Sequence, residues 1–140
     1  MLTRIEIKDY YGKLNLSALN KIGIEKTHID LNIQKPVIYY FVNDQEIYEA
    51  NKTSLGHDNY TDIITYDYED DCDIEHNEVL VSWDRVLENS IKYNVSFENE
   101  LNRVCIHGLL HLAGHDDQSN EDKEKMRTLE NKFLALYCST

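Results

Sequence analysis

The sequence predicts an α+β fold in which a mixed sheet of four or five strands is covered by helices. Segments of alternating or continuous β-branched and aromatic residues indicate strands, and segments with apolar residues at helical spacing indicate helices. Their order is strand, helix, strand, strand, helix, strand, strand and then three helices, which is typical of an α+β protein. A chain of 140 residues has the size of one domain, and we expect residues 1–140 to form a single one.

The N-terminal half contains three predicted strands and two predicted helices. The strands are residues 3–7, 29–33 and 37–42, of which the last is a continuous apolar run typical of a central strand. Apolar residues at helical spacing predict a helix over residues 14–24, which Gly23 closes. Asn43 or Asp44 can cap a second helix that continues to about Lys52.

The C-terminal half contains two predicted strands and three predicted helices. The strands are residues 61–66 and 78–82, and we expect the second to lie at an edge of the sheet. The acidic stretch 67–77 between them is typical of a solvated loop, with a second cation site as the alternative. The predicted caps of the three helices are Ser82, Ser96 and Ser119. The apolar stripe of the first of these helices is predicted to contain Trp83, Val86, Leu87 and Ile91.

The most informative stretch of the sequence runs from Cys105 to Asp117. Within it, His107 and His111 are four residues apart, so that on a helix both imidazoles lie on one face and can bind one metal ion. Gly114 follows at the right distance to end the helix and turn the chain back toward the two histidines. Three polar residues after the turn can supply a third ligand: His115, Asp116 and Asp117. Cys105 is expected to point to another face, into the core.

Three protein ligands would leave a fourth coordination position for water, which is the arrangement of catalytic rather than structural zinc. In zinc peptidases with the motif His-Glu-x-x-His, a glutamate follows the first histidine and acts as the general base. Here that position is Gly108, which cannot accept a proton. A metal-dependent hydrolase of another kind is therefore favoured, and a metallopeptidase is only a third hypothesis.

The segment His107–Asp117 resembles the signature of the YbeY family, the bacterial metal-dependent endoribonucleases of ribosomal RNA maturation. That signature is His-Gly-x-Leu-His-Leu-x-Gly-Tyr-Asp-His, and its final histidine is the family's third metal ligand. The corresponding residue here is Asp117, and His115, at the position of the tyrosine, is the alternative third ligand. The resemblance implies one Zn²⁺ bound by His107, His111 and Asp117 in a metzincin-like helix, with Asp116 or His115 available for proton transfer.

A second similarity to the family precedes this motif. The residues Gly56 to Tyr66 resemble the family's Gly-x-Asp turn and Thr-Asp-Val-Leu-Ser-Phe strand. Members usually carry an arginine just before the glycine, where this chain has Leu55. His57 either replaces that arginine in part or is an ordinary loop histidine.

As a YbeY-like protein, the chain is expected to be a zinc-dependent endoribonuclease. The resemblance implies that it cleaves single-stranded RNA, not DNA, in ribosomal RNA maturation and ribosome quality control. Its expected partners are the ribosomal RNA precursor and ribosomal particles or proteins. The alternative is a ribosome-associated binding module whose metal site is structural or vestigial.

The net charge and the cysteines place limits on these expectations. A formal net charge of −12 predicts weak unaided affinity for RNA, because phosphate neutralisation supplies much of nucleic-acid binding. It favours a partner that delivers the substrate. Three widely spaced cysteines are typical of reduced cytosolic thiols. We expect no membrane segment and no signal peptide, and therefore a cytoplasmic protein.

Overall fold

The computed structural model describes residues 4–9, 16–56 and 61–138. The strands are β1 (Ile5–Asp9), β2 (Val37–Val42), β3 (Ile63–Tyr66) and β4 (Asn77–Ser82). The helices are α1 (Lys21–Asp30), α2 (Asp44–Leu55), α3 (Trp83–Lys92), α4 (Phe97–Leu112) and α5 (Asn120–Phe133). A 3₁₀ turn (Leu16–Ala18) precedes α1, and a π-helical turn (Leu134–Cys138) continues α5. The predicted α+β class is confirmed.

The four strands form one mixed sheet in the order β1-β2-β4-β3. β1, β2 and β4 are parallel, whereas β3 runs antiparallel to β4. The predicted central position of β2 is confirmed, but the predicted edge position of β4 is wrong. The short strand β3 pairs with the far side of β4 and takes the edge itself, and Val79 and Val81 of β4 are completely buried.

The first helix lies further along the chain than its apolar pattern predicted. It spans Lys21–Asp30, so the predicted strand over 29–33 is wrong, and residues 14 and 15 of the helix predicted over 14–24 lie outside the described residues. Asn20 fixes its start, because its side chain accepts a hydrogen bond from the Gly23 amide at 2.9 Å. Gly23 therefore lies in the first turn of the helix instead of closing it, and a Cβ there would lie 2.6 Å from the carbonyl oxygen of Tyr137.

Polar caps fix the starts of the remaining helices, as the sequence predicted. Each cap side chain accepts a hydrogen bond from the backbone amide three residues later. The four caps are Asn43, Ser82, Ser96 and Ser119.

Helix α4 lies at the centre of the hydrophobic core. Leu101, Cys105 and Leu109 are fully buried on it, which confirms that Cys105 is a core residue. The hydroxyl of Tyr39, in β2, donates a hydrogen bond to the carbonyl oxygen of Cys105 at 2.8 Å. At Gly108 the helix approaches the sheet so closely that an added Cβ would lie 3.0 Å from the Ile63 side chain. The close packing of the helix on the sheet thus leaves little room for a side chain at Gly108, directly after His107.

Helix α3 presents a different face to the core from the one predicted. Val86 is buried and Trp83 packs against the core, but Leu87 and Ile91 are 45% and 74% exposed. The contact of Trp83 with Phe97, with ring centroids 4.6 Å apart, turns the face with Leu87 and Ile91 toward solvent.

The acidic stretch 67–77 is attached to the chain just before β2. The Glu69 carboxylate accepts hydrogen bonds from the backbone amides of Gln34 and Lys35 at 2.7 and 3.0 Å. The Lys35 ammonium donates to backbone carbonyls of the loop, including that of Ile74 at 2.7 Å. Among the described residues this loop contains no group of side chains arranged to hold a metal ion, so the alternative of a second cation site there is not supported.

No helix within residues 4–9, 16–56 and 61–138 has the length and apolar character needed to cross a bilayer.

Candidate metal centre

Three side chains converge at the C-terminal end of α4. The Nε2 atoms of His107 and His111 are 2.9 Å apart. Asp117 Oδ2 lies 3.3 Å from the first of these atoms and 3.4 Å from the second. We call His107, His111 and Asp117 the triad. All three side chains are partly exposed, so the triad can be reached from solvent.

The triad has the dimensions of a zinc site. Around tetrahedral Zn²⁺ with bonds of about 2.0–2.1 Å, neighbouring ligand atoms are about 3.3–3.4 Å apart. The two nitrogen–oxygen distances equal this spacing, and the nitrogen–nitrogen distance is slightly shorter. The residues present therefore fit the metal ion that the motif predicts.

Hydrogen bonds on the far side of each imidazole orient the two rings. His107 Nδ1 donates to Glu130 Oε2 at 2.6 Å, and His111 Nδ1 donates to the backbone carbonyl of His115 at 3.1 Å. In the neutral rings, both Nε2 lone pairs then face one point together with the Asp117 carboxylate. Three electron-rich atoms at such distances repel one another unless a cation or a proton lies between them.

The turn at Gly114 brings the third side chain into place. Gly114 has φ +97°, in the left-handed region that glycine adopts at little cost, and its amide donates to the His111 carbonyl. Asp117 then reaches the two histidines. The His115 ring is not part of the triad, although its carbonyl orients His111. The Asp116 carboxylate is exposed and accepts a hydrogen bond from the Asp117 amide.

Glu130, in α5, contributes to the site although the sequence reasoning missed it. Its second carboxylate oxygen accepts from Arg103 at 3.1 Å, and Arg103 also donates to Asn131 at 2.8 Å. Glu130 is 6% exposed and lies four residues after buried Met126. A charged residue on the buried stripe of α5 is the signal that could have revealed it.

The pKa values of these groups differ from their ordinary values. Burial lowers the pKa of His107, but the hydrogen bond and charge of Glu130 outweigh it, so that its pKa is raised overall. Burial and the neighbouring His107 lower the pKa of His111. Burial raises the pKa of Glu130, yet the His107 hydrogen bond and Arg103 lower it overall. In the metal-free site the raised pKa thus favours the protonated form of His107. A bound metal ion would displace the proton on Nε2.

Two clefts flank the triad. The first, which we call the α5 cleft, has a volume of about 490 Å³ and contains His107 and Asp117. Its walls come from the α3–α4 connection, with Tyr93 and Val95, and from α5, with Arg127 and Glu130. Two acids also line it, half-buried Asp62 and buried Glu100. Burial raises the pKa of Asp62, and burial with the charge of Asp62 raises the pKa of Glu100 to about 7.

The second cleft, the β3 cleft, contains His111 beside the edge strand, with Leu55, Thr61 and Gln118 in its lining. Its described lining residues include no lysine or arginine. Leu55, where the family resemblance led us to expect arginine, is 47% exposed. His57 lies outside the described residues.

An α+β domain in which two histidines of one helix and a nearby carboxylate converge on one point is typical of metal-dependent hydrolases. The family model of endoribonuclease YbeY matches residues 4–137. The chain belongs to the endoribonuclease YbeY family, which is a metal-dependent one.

Relatives and a solved structure agree with this assignment. Endoribonuclease YbeY of Flavobacterium psychrophilum is 41% identical over 132 residues, which is 94% of this chain and 89% of that protein. Endoribonuclease YbeY of Porphyromonas gingivalis is 41% identical over 104 residues, covering 74% and 68% respectively. The solution structure of TM1509 from Thermotoga maritima superposes with a TM-score of 0.59 at 30% identity, covering 94% of this chain and 89% of that one.

These comparisons confirm the expected fold and enzyme class. The protein is a hydrolytic nuclease, and its family role is in ribosomal RNA processing. The family assignment supports that class over the alternatives of a pure binding module and a metallopeptidase.

Proposed function

We infer that the protein is a zinc-dependent endoribonuclease that cleaves single-stranded RNA during ribosomal RNA maturation and quality control. The observation that carries this proposal is the triad, in which three ligand atoms lie 2.9–3.4 Å apart. The names of the relatives support RNA as the substrate. We place the protein in the cytoplasm with ribosomal particles or proteins as partners, in keeping with its free cysteines and net charge of −12.

In this proposal His107, His111 and Asp117 hold the zinc ion. When bound, zinc would act as a Lewis acid toward a phosphoryl oxygen and would lower the pKa of water. Glu130 keeps the proton of His107 on Nδ1, which leaves Nε2 free to ligate. The carbonyl of His115 does the same for His111.

Proton transfer to the substrate has two sets of candidate groups. Asp116 is exposed on the turn beside Asp117 and can exchange protons with solvent. Glu100, whose pKa is raised to about 7, and Asp62 lie in the α5 cleft next to His107. A carboxyl group with a pKa near neutrality suits general acid–base catalysis at physiological pH.

Substitution of His111 tests the proposal. His111→Ala should lose bound zinc and all zinc-dependent cleavage of a labelled single-stranded RNA, because two ligands remain. Zinc content is measured by elemental analysis, and cleavage is measured with and without chelator. His115→Ala is the matched control and should retain both, since only its backbone carbonyl serves the site. Stoichiometric zinc in His111→Ala would contradict the proposal.

The third ligand is tested in the same assay. Asp117→Ala should lose zinc, whereas Asp117→His should retain it, because imidazole also ligates zinc. Loss of zinc in His115→Ala, with retention in Asp117→Ala, would instead make His115 the ligand.

A further inference from the structure

The α5 cleft is large enough for a small ligand and opens beside the triad. Its volume of about 490 Å³ lies within the range of binding pockets for small ligands, about 300–1,000 Å³. It includes His107 and Asp117, so that a molecule in it is adjacent to the reacting bond. The outer rim of the cleft contains further residues that do not belong to the triad.

Tyr93 forms one side of that rim. It follows the last residue of α3, and 52% of its surface is exposed. The neighbouring Val95 is 39% exposed and lines the same cleft. The Lys92 ammonium lies over one face of the Tyr93 ring, 5.5 Å from its centre, so that a base would stack on the other face. An exposed aromatic ring at the mouth of a cleft is a platform on which a nucleic-acid base can stack.

Arg127, on α5, also lines the cleft. It is exposed on α5, and within the described ranges 4–9, 16–56 and 61–138 its guanidinium makes no hydrogen bond or ion pair. Arg103, the other arginine of the cleft, is already paired with Glu130. Arg127 is therefore the arginine of this cleft whose hydrogen-bond donors are unused among the described residues, while its charge also acts on Glu100. A guanidinium recognises phosphate oxygens through paired hydrogen bonds.

The acids of the cleft do not oppose an anionic ligand as strongly as their number suggests. Glu130 is neutralised by Arg103 and by the hydrogen bond from His107. Asp117 belongs to the triad and faces the two histidines. Burial raises the pKa of Asp62 and of Glu100, which favours the uncharged form of each carboxyl group, although the charge of Arg127 acts on the pKa of Glu100 in the opposite direction. The cationic groups lie at the rim, where a phosphate would enter.

We propose that the α5 cleft is a nucleotide subsite for the RNA strand, in which one base stacks on Tyr93 and a backbone phosphate pairs with Arg127. This subsite rests on the proposed endoribonuclease function, since its occupant is the substrate RNA. It places the bound strand on the α5 side of the triad, away from the β3 cleft, whose described lining carries no lysine or arginine.

Binding of intact RNA tests the subsite without relying on catalysis. The probe is a fluorescein-labelled single-stranded RNA dodecamer with chelator present, and affinity is measured by fluorescence anisotropy over a range of salt concentrations. Tyr93→Ala should weaken binding by roughly 5- to 150-fold, and Tyr93→Phe should bind like the wild type because the stacking surface is kept. Arg127→Ala should make the log–log salt slope shallower by about 0.7, the value for one phosphate contact.

Matched controls remove similar groups outside the cleft. Leu87→Ala removes an exposed apolar side chain of α3, and Lys125→Ala removes an exposed charge of α5. Neither residue lines the α5 cleft, and both variants should bind RNA like the wild type. Thermal unfolding monitored by circular dichroism verifies that each variant is folded.

The outcomes separate the subsite from the function. If the wild type cleaves and binds RNA while Tyr93→Ala and Arg127→Ala bind equally well, the subsite is wrong and the function stands. Equal losses in the controls would also overturn the subsite, because they would indicate general surface effects. A wild-type protein that neither binds nor cleaves RNA, with zinc present, would overturn both.

Discussion

At the scale of single residues, Glu130 connects His107 of the triad with Arg103. One carboxylate oxygen accepts from His107 and the other from Arg103, at 2.6 and 3.1 Å. A carboxylate behind a metal-binding imidazole fixes the ring and its tautomer. It also increases the basicity of the ring nitrogen that faces the metal ion.

Glu130→Gln should lower the affinity for zinc by about 10- to 100-fold, because the amide keeps the shape but not the charge behind His107. Competition with a chromogenic chelator measures this affinity. Glu124→Gln, at an exposed position of the same helix, is the control and should bind zinc like the wild type. Equal affinities in Glu130→Gln and the wild type would show that the carboxylate does not support the site.

The hydrogen-bonded pair of His107 and Glu130 predicts a pH dependence of stability in the metal-free protein. The lowered pKa of Glu130 contributes stability above its ordinary value of 4.5, and this contribution is lost as pH falls through the lowered pKa. The raised pKa of His107 contributes stability below its ordinary value of 6.5, and this contribution is lost as pH rises through the raised pKa. Urea unfolding of wild type and Glu130→Gln should therefore differ most, by about 1.5–3 kcal/mol, between these two pH values. A difference that grows steadily above that window would contradict the assignment.

Residue spacing placed the two histidines together, but it left three candidates for the third ligand and did not reveal the groups that support the site. His107 and His111 lie on one helix, so the helical period alone placed them together, and Gly114 indicated the turn that delivers Asp117. Glu130 comes from α5, and no sequence period relates two separate helices. Its place beside His107 depends on how α5 packs on α4, which is a tertiary property.

At the scale of elements, prediction succeeded where local signals agreed and failed where tertiary contacts decided. Ser82, Ser96 and Ser119 cap the helices as predicted, because capping is a contact between residues three apart. The face of α3 and the interior position of β4 depend on neighbours distant in sequence. For α1, the apolar residues before Gly23 predicted a helix that ends near Gly23. The Asn20 cap instead starts the helix at Lys21.

The contact between α1 and the C-terminal turn leads to a prediction on stability. Gly23→Ala would place a Cβ 2.6 Å from the Tyr137 carbonyl oxygen, a backbone atom that cannot rotate away. We expect a loss of about 1–3 kcal/mol in the free energy of unfolding, measured in urea, with zinc content unchanged. Ile22→Ala, at a position that is 69% exposed, is the control and should change stability by less than about 0.5 kcal/mol. Unchanged stability of Gly23→Ala would show that the two elements can move apart at no cost.

The charge of the whole molecule limits how it can bind RNA. With a formal net charge of −12, the surface repels a polyanion, and the few cations at the rim of the α5 cleft must act locally. We expect the slope of log affinity against log salt to be shallower than about −2, since each phosphate contact on a single strand contributes about −0.7. Anisotropy titrations of the metal-free protein measure it. A slope of about −5 would reveal a large basic surface that the charge balance argues against.

The link from α4 to α5 has a consequence for local unfolding. A bound ion stabilises only those states in which its ligands are assembled, and the orientation of His107 depends on a carboxylate in the C-terminal helix. Opening of that helix must therefore disturb the coordination sphere. We therefore expect hydrogen exchange at the backbone amides of α5, a different helix from the one with the two imidazoles, to slow when a metal ion is bound, so that exchange in α5 would report metal occupancy.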